Sequence, residues 1–483
     1  MNKFSPNQKD NLLKEYYTDD KNKFLIIIIC SIIILAMGIL IIILTATTTN
    51  KLYEDEEILP GYIPINSITA KYKIENSSEP TLLFNNLYTD LIHTIKIDGV
   101  KVDNIKNEYN LNSNGEHTVK FSFKKPLKST NEFFINCKDL IEVNLTNLTS
   151  EKIRTTADMF HGCSNLNNID FMNFDSSNLN NISNMFYGCS SLYSLDLYGF
   201  DGYELNDMSG LFTNCYNLSI INFNNINAIN VINMSKLFYG CESLEEINLN
   251  RFLTYNVLDM SNMFYGCSNL NNIEQNFDTS NVIHMYGMFD GCKSLRNISL
   301  DNFNTQNVED MFFMFIDCIS LDSLDINNFN TSNVRDMFSM FKNCQSLEII
   351  NISNFDIHNV KDMGDMFGEC SSLREIYLYN LNPENLIYMT GMFENCSSLE
   401  SLNITGFSTN NVEDMSCLLD GCNKLSYLDF SSFNTTKLKN YDNIFRGLPE
   451  KGIIIYDSEL FNNTLLDLLP KNWEKKDIQN ENI

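Results

Sequence analysis

Residues 329–344 read FNTSNVRDMFSMFKNC, and this stretch decides the fold because it is one copy of a unit that recurs along the chain. Its last residue is one of 12 cysteines that are 26 residues apart, except for one interval of 25 residues. The series consists of Cys137, Cys163, Cys189, Cys215, Cys241, Cys267, Cys292, Cys318, Cys344, Cys370, Cys396 and Cys422. A fixed period of about 20 to 50 residues is typical of solenoids, in which each unit packs on its neighbours. We therefore predict a stack of about 12 turns.

Each unit is predicted to contain a strand, a turn and a short helix. The triplet Leu192, Leu195 and Leu197 ends in the alternation typical of a strand with one buried face. After a polar turn the spacing changes to that of one helical stripe, which in the quoted unit comprises Val334, Met337, Met340, Phe341 and Cys344. The expected fold class is therefore α/β.

The start of each predicted helix carries a capping pattern. Asn333 is placed as an N-cap, and Asp336 follows three residues later as in a capping box. The same spacing recurs in the pairs Asn256 and Asp259, Asn307 and Asp310, Asn359 and Asp362, and Asn411 and Asp414.

The repeated unit resembles the BspA-like leucine-rich-repeat surface proteins. The resemblance is carried by the motif MFYGCSNL at residues 263–270 and by FNTSNVRDM at residues 329–337, and it extends over about residues 133–448. It implies a right-handed leucine-rich-repeat solenoid, displayed on a microbial or protist cell surface and used for adhesion or recognition. The resemblance supplies no catalytic motif.

A second organising element is the apolar segment FLIIIICSIIILAMGILIIILT at residues 24–45. At about 1.5 Å per helical residue it can cross the roughly 30 Å hydrocarbon core once. A cleaved signal peptide has a shorter apolar core, and a buried helix of a soluble protein is the other alternative. Lysines precede the segment and Glu54, Asp55, Glu56 and Glu57 follow it, so we expect a cytoplasmic N-terminus and an external C-terminal part.

The predicted organisation has six parts, with alternating polar and apolar runs indicating a small β domain before the repeats. They are a cytoplasmic tail (1–23), a transmembrane signal-anchor helix (24–45), a stalk (46–70), a β-rich N-terminal cap (71–130), the solenoid (131–448), and a C-terminal cap and tail (449–483). The shortened interval is expected to place a bulge or a local defect in the strand near residues 273–277 without changing the next unit.

Composition disfavours several functions. With 61 acidic and 34 basic residues the net charge is −27, so the chain is not expected to bind nucleic acid. The 5 histidines are scattered, no nucleophile, base and orienting group recur together, and no phosphate-binding motif is present. We therefore predict neither an enzyme nor a metal or cofactor site.

The cysteine series allows three interpretations. Metal sites need thiolates that converge, whereas these occur once per turn. Disulfides are favoured outside the cell, but packed helices about 8 to 10 Å apart do not suit them. Buried free thiols acting as small core residues are the favoured interpretation, with Cys417 and Cys422 as one local pair that could bridge.

Candidate binding residues are those that alternate with the buried strand positions. They include Asp170, Asp196, Asp325 and Asp429, together with a candidate hot spot of Tyr377, Tyr379 and Tyr427. The expected partner is a protein or glycan on another cell or matrix. The oligomeric state is left open.

Asn-x-Ser/Thr sequons are abundant, and those at Asn76, Asn144, Asn147, Asn351 and Asn403 are candidate N-glycosylation sites. The favoured function is that of a membrane-anchored recognition or adhesion glycoprotein at the plasma membrane. A structural coat or spacer protein without a specific ligand is the alternative, and saturable binding to cells or matrix proteins distinguishes the two.

Overall fold

The computed structural model describes residues 66–480, apart from residues 198, 199, 201, 224, 225, 227, 379 and 380. Within this range no helix has the length and apolar character needed to cross a membrane. The predicted cytoplasmic tail, the membrane segment 24–45 and most of the predicted stalk lie outside the described residues.

The first part of the described chain is a small antiparallel β domain. A 3-10 turn at Asn86–Tyr88 accompanies its strands. The strands are β1 (Ser67–Ile74), β2 (Thr81–Leu82), β3 (Ile92–Ile97), β4 (Val100–Lys101), β5 (Glu108–Tyr109) and β6 (Gly115–Phe123). Strand β1 begins inside the range assigned to the stalk, because Ile68 and Ala70 are buried in the core of this domain.

The β domain shares one sheet with the first coils of the repeat region. The strands of the coils and of the C-terminal region are β7 (Leu140–Asn144), β8 (Asn168–Asp170), β9 (Ser194–Asp196), β10 (Ile220–Asn222), β11 (Glu246–Asn248), β12 (Asn272–Glu274), β13 (Ile349–Asn351), β14 (Glu375–Tyr377), β15 (Ser401–Asn403), β16 (Tyr427–Phe430), β17 (Lys451–Tyr456) and β18 (Asn472–Asp477). The order of the first sheet is β4-β3-β6-β1-β7-β8, with β1 antiparallel to β7 and β7 parallel to β8. Backbone groups at the start of the stack are thereby paired rather than left as an open edge.

The coils stack in parallel with the register that the cysteines predict. Ile221 of β10 pairs with Leu195 of β9, and Leu428 of β16 pairs with Leu402 of β15, so each strand residue faces the residue 26 positions away. The protein is therefore a β-solenoid of about 12 turns, as the repeat predicts. A four-residue helix, α1 (Asn463–Leu466), lies between the last two strands.

The strand side of the solenoid is less regular than the sequence predicts. Ten short strands, β7 to β16, serve the 12 units, and they fall into separate sheets rather than one continuous sheet. The units at residues 297–300 and 323–326 contain no strand. These two units follow directly on the shortened cysteine interval.

The predicted helices are wrong, and the segments are chains of tight turns. In the quoted unit, Met337, Ser339, Phe341 and Asn343 each donate their backbone N–H to a carbonyl of the next coil at 2.7 to 3.0 Å. The alternate residues Met340, Lys342 and Cys344 donate to the carbonyl three positions earlier, at 3.2 Å each. An α-helix would instead bond every N–H to the carbonyl four positions earlier.

Left-handed residues explain why no helix forms. Ser339 and Asn343 have φ of 53° and 61°, and the other coils repeat this pair of positions four residues apart, mostly with Gly, Asn or Asp. A right-handed helix cannot contain such residues. The predicted capping box is wrong for the same reason: Asp336 Oδ1 accepts the N–H of Phe338, and the Asn333 amide donates to the carbonyl of Gln306 in the previous coil.

A one-residue parallel ladder precedes these turns and is continuous along the stack. It joins Ser129, Thr155, Asn181, Asp207, Asn233, Asp259, His284, Asp310, Asp336, Asp362, Tyr388, Asp414 and Asn440. The segments that follow it are called the turn segments below. The regular hydrogen bonding between coils therefore runs along the turn segments, where the sequence predicted helices, and not along a continuous sheet.

The buried stripe predicted from the sequence is nevertheless correct. Val334, Met337, Met340, Phe341 and Cys344 are all fully buried. One phenylalanine per coil forms a stacked column in which neighbouring ring centroids are 5.3 to 5.8 Å apart, with ring planes within 13° of parallel. The column comprises Phe134, Phe160, Phe186, Phe212, Phe238, Phe264, Phe289, Phe315, Phe341, Phe367 and Phe393.

Polar side chains also link one coil to the next, which explains the high asparagine content. The amide of Asn307 donates to the carbonyl of Ser280 at 2.7 Å, and eight further asparagines make the same bond to the previous coil. The buried hydroxyl of Thr305 donates to the carbonyl of Asn330 at 2.9 Å and accepts that residue's N–H at 2.8 Å. These bonds satisfy groups that the turns leave without partners.

The shortened interval leaves strand β12 intact. All three residues of β12 pair in register with β11, so no bulge forms there. The missing residue falls in the turn after Glu274, where the Gln275 side chain accepts the N–H of Phe277 at 2.8 Å and donates to the carbonyl of Ser299 at 2.7 Å.

Candidate partner-binding surface

The surface with the predicted binding residues is the strand face, defined here as the first and third residues of the short strands β8 to β16, together with Glu142 and Asn144, which are the residues of β7 paired with the two ends of β8. These residues point away from the core because the middle residue of each strand points into it, as Leu195 and Leu402 do. In-register pairing places equivalent residues of paired strands about 4.8 Å apart. Side chains from successive coils thus form two outward rows.

The four predicted aspartates lie on the strand face or, for Asp325, at the matching position of a unit without a strand, and their carboxylates bind neighbouring groups. Asp170 accepts the N–H of Met172 at 2.9 Å, and Asp325 accepts that of Asn327 at 3.1 Å. Asp196 accepts the Asn222 amide at 3.0 Å. Asp429 accepts the hydroxyl of Ser431 at 2.6 Å. These carboxylates order the turn after the strand or link coils, which leaves less of their hydrogen-bonding capacity for a partner.

Of the three candidate tyrosines, the two in the described range do not lie on adjacent coils. Tyr377 ends β14 and is exposed, with its hydroxyl donating to Glu375 at 2.8 Å. Tyr427 begins β16, is half-buried, and pairs with Ser401 of β15. It therefore belongs to the other outward row and lies two coils away. Tyr379 lies outside the described residues.

Sequence reasoning missed two exposed isoleucines on the same face. Ile220 of β10 and Ile349 of β13 are 56% and 46% exposed. Strand β13 pairs with β14, so Ile349 and Tyr377 lie on adjacent strands, at the first and third positions. The sequence did contain a signal for these two residues: each is apolar at a strand position where most units have Ser, Asn or Glu. Ile349 pairs with Glu375, so Tyr377 lies diagonally across from it, at a spacing that an aromatic side chain can span.

Charges are grouped along the strand face. Glu246 of β11 and Glu274 of β12 are exposed carboxylates on adjacent coils, and the preceding residue Glu245 is exposed as well. Beside the Ile349 and Tyr377 pair, Arg374 forms an ion pair with Glu348. The Arg374 and Glu348 charges cancel, so Glu375 is the carboxylate that remains directly beside that pair, while the larger acidic group lies several coils towards the N-terminus.

The sequons on the strand face serve as turns. Asn144, Asn351 and Asn403 each accept with Oδ1 both the N–H and the hydroxyl of the Ser or Thr two residues later, at 2.7 to 3.0 Å. Asp429 makes the same turn with Ser431. Because Asp and Asn are interchangeable here, turn chemistry accounts for the frequency of the motif. Asn76 and Asn147 are exposed, and Asn76 makes a similar turn with Ser78.

The cysteines form a buried column of free thiols, in agreement with the favoured interpretation from the sequence. Cys417 is half-buried, and the other 12 cysteines in the described range are buried. From Cys163 to Cys422, each thiol of the series donates to the carbonyl of a column phenylalanine in the previous coil, at 2.9 to 3.3 Å. Burial raises the pKa of the Cys370 and Cys422 thiols to about 12, so these groups are poor nucleophiles.

A Ser, His and Asp arrangement occurs in the β domain, but its geometry does not suit nucleophilic catalysis. His117 Nδ1 lies 2.7 Å from Asp98 Oδ2, whereas its Nε2 lies 2.8 Å from the Ser113 carbonyl oxygen and 3.4 Å from the Ser113 hydroxyl. Hydrogen bonds to Asp98 and then to Ser113 raise the pKa of His117. Both ring nitrogens face acceptors, so the His117 side chain links the loop that contains Asp98 to the loop that contains Ser113. Within residues 66–480 as described, no group of three metal-ligating side chains converges.

The repeats match one protein family, described as "Mycoplasma protein of unknown function, DUF285". Overlapping matches cover residues 128–246, 195–296, 232–350, 259–377 and 339–452, together about two thirds of the chain. The chain belongs to this family. Comparison with curated proteins finds no significant match.

Solved structures with leucine-rich repeats are similar at low identity. A leucine-rich repeat protein from Eubacterium ventriosum ATCC 27560 has 13% identity and a TM-score of 0.32, with 64% of this chain and 82% of that chain covered. The leucine-rich-repeat ectodomain of the plant membrane receptor kinase GASSHO1/SCHENGEN3 from Arabidopsis thaliana, in complex with CASPARIAN STRIP INTEGRITY FACTOR 2, has 13% identity and a TM-score of 0.23, with 66% of this chain and 42% of that chain covered. A TLR13–ssRNA13 complex has 14% identity and a TM-score of 0.21, with 62% and 47% covered.

Proposed function

We propose that this chain is a membrane-anchored cell-surface recognition protein of the leucine-rich-repeat type that binds a protein partner on its strand face. The observation that carries the proposal is the exposed pair of Ile349 and Tyr377 on adjacent strands of a rigid stack. Tyrosine is one of the residues enriched among those that contribute most of the binding energy at protein interfaces, and the neighbouring Ile349 adds apolar area that a partner can bury.

The stack itself supports a binding role. Hydrogen bonds between coils and the column of rings hold the strand face in one conformation, so little conformational entropy is lost when a partner binds. The membrane anchor rests on the composition of residues 24–45, and the external location of the repeats rests on the charges that flank this segment.

The test of the binding surface uses the full-length chain and its triple variant Ile349→Ser, Tyr377→Ser, Tyr427→Ser. Labelled protein is titrated onto cells and onto immobilised matrix proteins. We expect saturable binding that the triple variant weakens by about tenfold or more, since each anchor contributes about 1 to 2 kcal/mol. Tyr388→Ser is the matched control, because Tyr388 is 46% exposed but lies on the ladder before the turn segments.

Each other result counts against the proposal. Binding that does not saturate would favour a coat or spacer protein, and binding that survives the triple variant would discard the strand face. Binding abolished by glycosidase treatment of the target cells would replace the protein partner by a glycan. For the anchor, deletion of residues 24–45 should move the chain from the membrane fraction to the soluble fraction, and an unchanged distribution would refute that part.

A further inference from the structure

A second surface, on the turn segments, carries an aromatic patch defined by Tyr286, Phe312, Phe313 and Phe338. The Tyr286 and Phe312 rings are stacked with centroids 4.7 Å apart. The Phe313 ring meets Phe312 and Phe338 edge-on, at 5.4 and 5.6 Å. All four side chains are half-buried, so each keeps part of its ring in solvent.

The patch breaks the rule that the rest of the turn segments follow. Other coils fill the positions equivalent to Phe312 with small residues such as Ser209, Ser261 and Thr390. Beyond the patch, Gly364 leaves room for the Phe338 ring, since a Cβ there would lie 3.1 Å from a ring carbon. The aromatic residues are therefore confined to three consecutive coils.

Phe313 occupies a position that disfavours a bulky side chain. Its φ is 60°, and the equivalent positions hold Gly, Asn or Asp in most coils but Lys236, Ser339 and Cys417 in others, so Phe313 is the one aromatic residue among those described at this position. Left-handed backbone is costly for residues other than Gly, Asn and Asp. The buried phenylalanine column does not include Phe313, so core packing does not explain its presence. Strain held at an aromatic residue that is partly exposed to solvent is consistent with a function for that residue.

Carboxylates border the patch on both sides. Asp310, Asp336 and Asp362 of the ladder lie along one side, and Asp290 and Asp317 lie along the other. Burial, together with the nearby charge of Asp317, raises the pKa of Asp290 to about 7. Burial also raises the pKa of Asp310 and of Asp362. A positive charge placed beside these carboxylates would stabilise their ionised form.

Two basic side chains near the patch already have acidic partners. Lys342 Nζ binds Asp365 at 2.9 Å, and His284 Nδ1 lies 2.7 Å from Asp310. The acidic side chains around the patch therefore outnumber the basic ones. A second copy of this chain, with a net charge of −27, and an anionic lipid surface would both be repelled.

We propose that the aromatic patch and its flanking carboxylates bind an arginine-rich segment of a partner protein. A guanidinium stacks on aromatic rings and forms hydrogen bonds with carboxylates, so one side chain uses both features of the patch. The surface is separate from the strand face, so its binding does not depend on the function proposed above.

The test measures the affinity of the full-length chain for a fluorescein-labelled peptide of alternating arginine and leucine, by fluorescence anisotropy at about 0.15 M salt. Phe313→Gly removes the ring and places the residue type that the left-handed backbone prefers. We expect this variant to bind about tenfold more weakly while it unfolds at the same or higher urea concentration. Asn184→Gly makes the same type of backbone change outside the patch and should bind within about twofold of the wild type.

Further measurements distinguish an arginine-rich partner from other partners that could bind the patch. A peptide of alternating glutamate and leucine should not bind, and the double variant Asp290→Asn, Asp317→Asn should bind the arginine peptide more weakly with a smaller salt dependence. Equal affinity for wild type and Phe313→Gly overturns the proposal, as does an equal loss in Asn184→Gly. An oligomer of the chain that Phe313→Gly dissociates would replace the arginine-rich partner by a second copy.

Discussion

Replacing one ring of the phenylalanine column tests the packing of the coils quantitatively. Phe315 is fully buried, and its ring is stacked between Phe289 at 5.3 Å and Phe341 at 5.7 Å. We expect Phe315→Ala to lower the free energy of unfolding by about 3 to 5 kcal/mol. About 1 to 3 kcal/mol of this comes from the two ring pairs, at 0.5 to 1.5 kcal/mol each.

Urea unfolding of the wild type and of the variants Phe315→Ala, Phe341→Ala and their double mutant measures both numbers. The double-mutant cycle should give a coupling energy of about 0.5 to 1.5 kcal/mol, because the two rings touch. Phe212 belongs to the same column but lies four coils from Phe315, so Phe212→Ala and Phe315→Ala should be additive within about 0.5 kcal/mol. A loss below about 1 kcal/mol for Phe315→Ala, or equal coupling in both pairs, would refute the stacked column.

Three further predictions concern other layers of the stack. The first concerns the thiols and uses the folded chain with Cys30→Ser: a small thiol reagent at about pH 8 should label Cys417 alone among the described cysteines until urea is added, because the column thiols are buried and burial raises their pKa. Labelling of several other cysteines in the native state would contradict this prediction. Because the pKa of His117 is raised, its contribution to the free energy of unfolding should be complete below about pH 6.5 and lost as the pH rises through the raised pKa. The free energy of urea unfolding should therefore depend less on pH over that range in His117→Gln than in the wild type, and an equal pH dependence would refute the role of His117 in joining the two loops. Asn307→Ala should cost about 0.5 to 1.5 kcal/mol and Asn307→Asp more, because a carboxylate cannot donate to the Ser280 carbonyl; the reverse order in urea unfolding would exclude the inter-coil bond.

The register and the core were predictable because burial of apolar side chains requires them to recur at regular intervals along the sequence. The interval between cysteines fixed which residues stack, and burial of Val334, Met337, Met340, Phe341 and Cys344 followed from their spacing. The same spacing led to the wrong prediction of a helix. A chain of tight turns that buries every third or fourth residue has the same sequence pattern as the apolar stripe of a helix. The recurring Asn, Gly and Asp at two positions in each unit were the signal for left-handed backbone.

The candidate site was predictable only in part. The alternation identified which strand residues face outward, but not which of them are already bound within the protein, as the Asp429 carboxylate is by Ser431. The adjacency of Ile349 and Tyr377 depends on the pairing of β13 with β14. Phe313 occupies a position where other units often have Gly, Asn or Asp, but the sequence prediction placed this position in a helix, so its left-handed backbone was not expected.

The distance between equivalent positions of different coils tests the central claim most directly. Spin labels are placed at Asn206, Arg335 and Lys439, which are exposed and directly precede the ladder residues Asp207, Asp336 and Asn440. Five coils separate Asn206 from Arg335, and nine separate Asn206 from Lys439. A spacing of about 4.8 Å per coil therefore predicts label distances of about 24 and 43 Å by double electron–electron resonance. Distances of about 40 to 50 Å and 72 to 90 Å, as packed helices would give, would contradict the account.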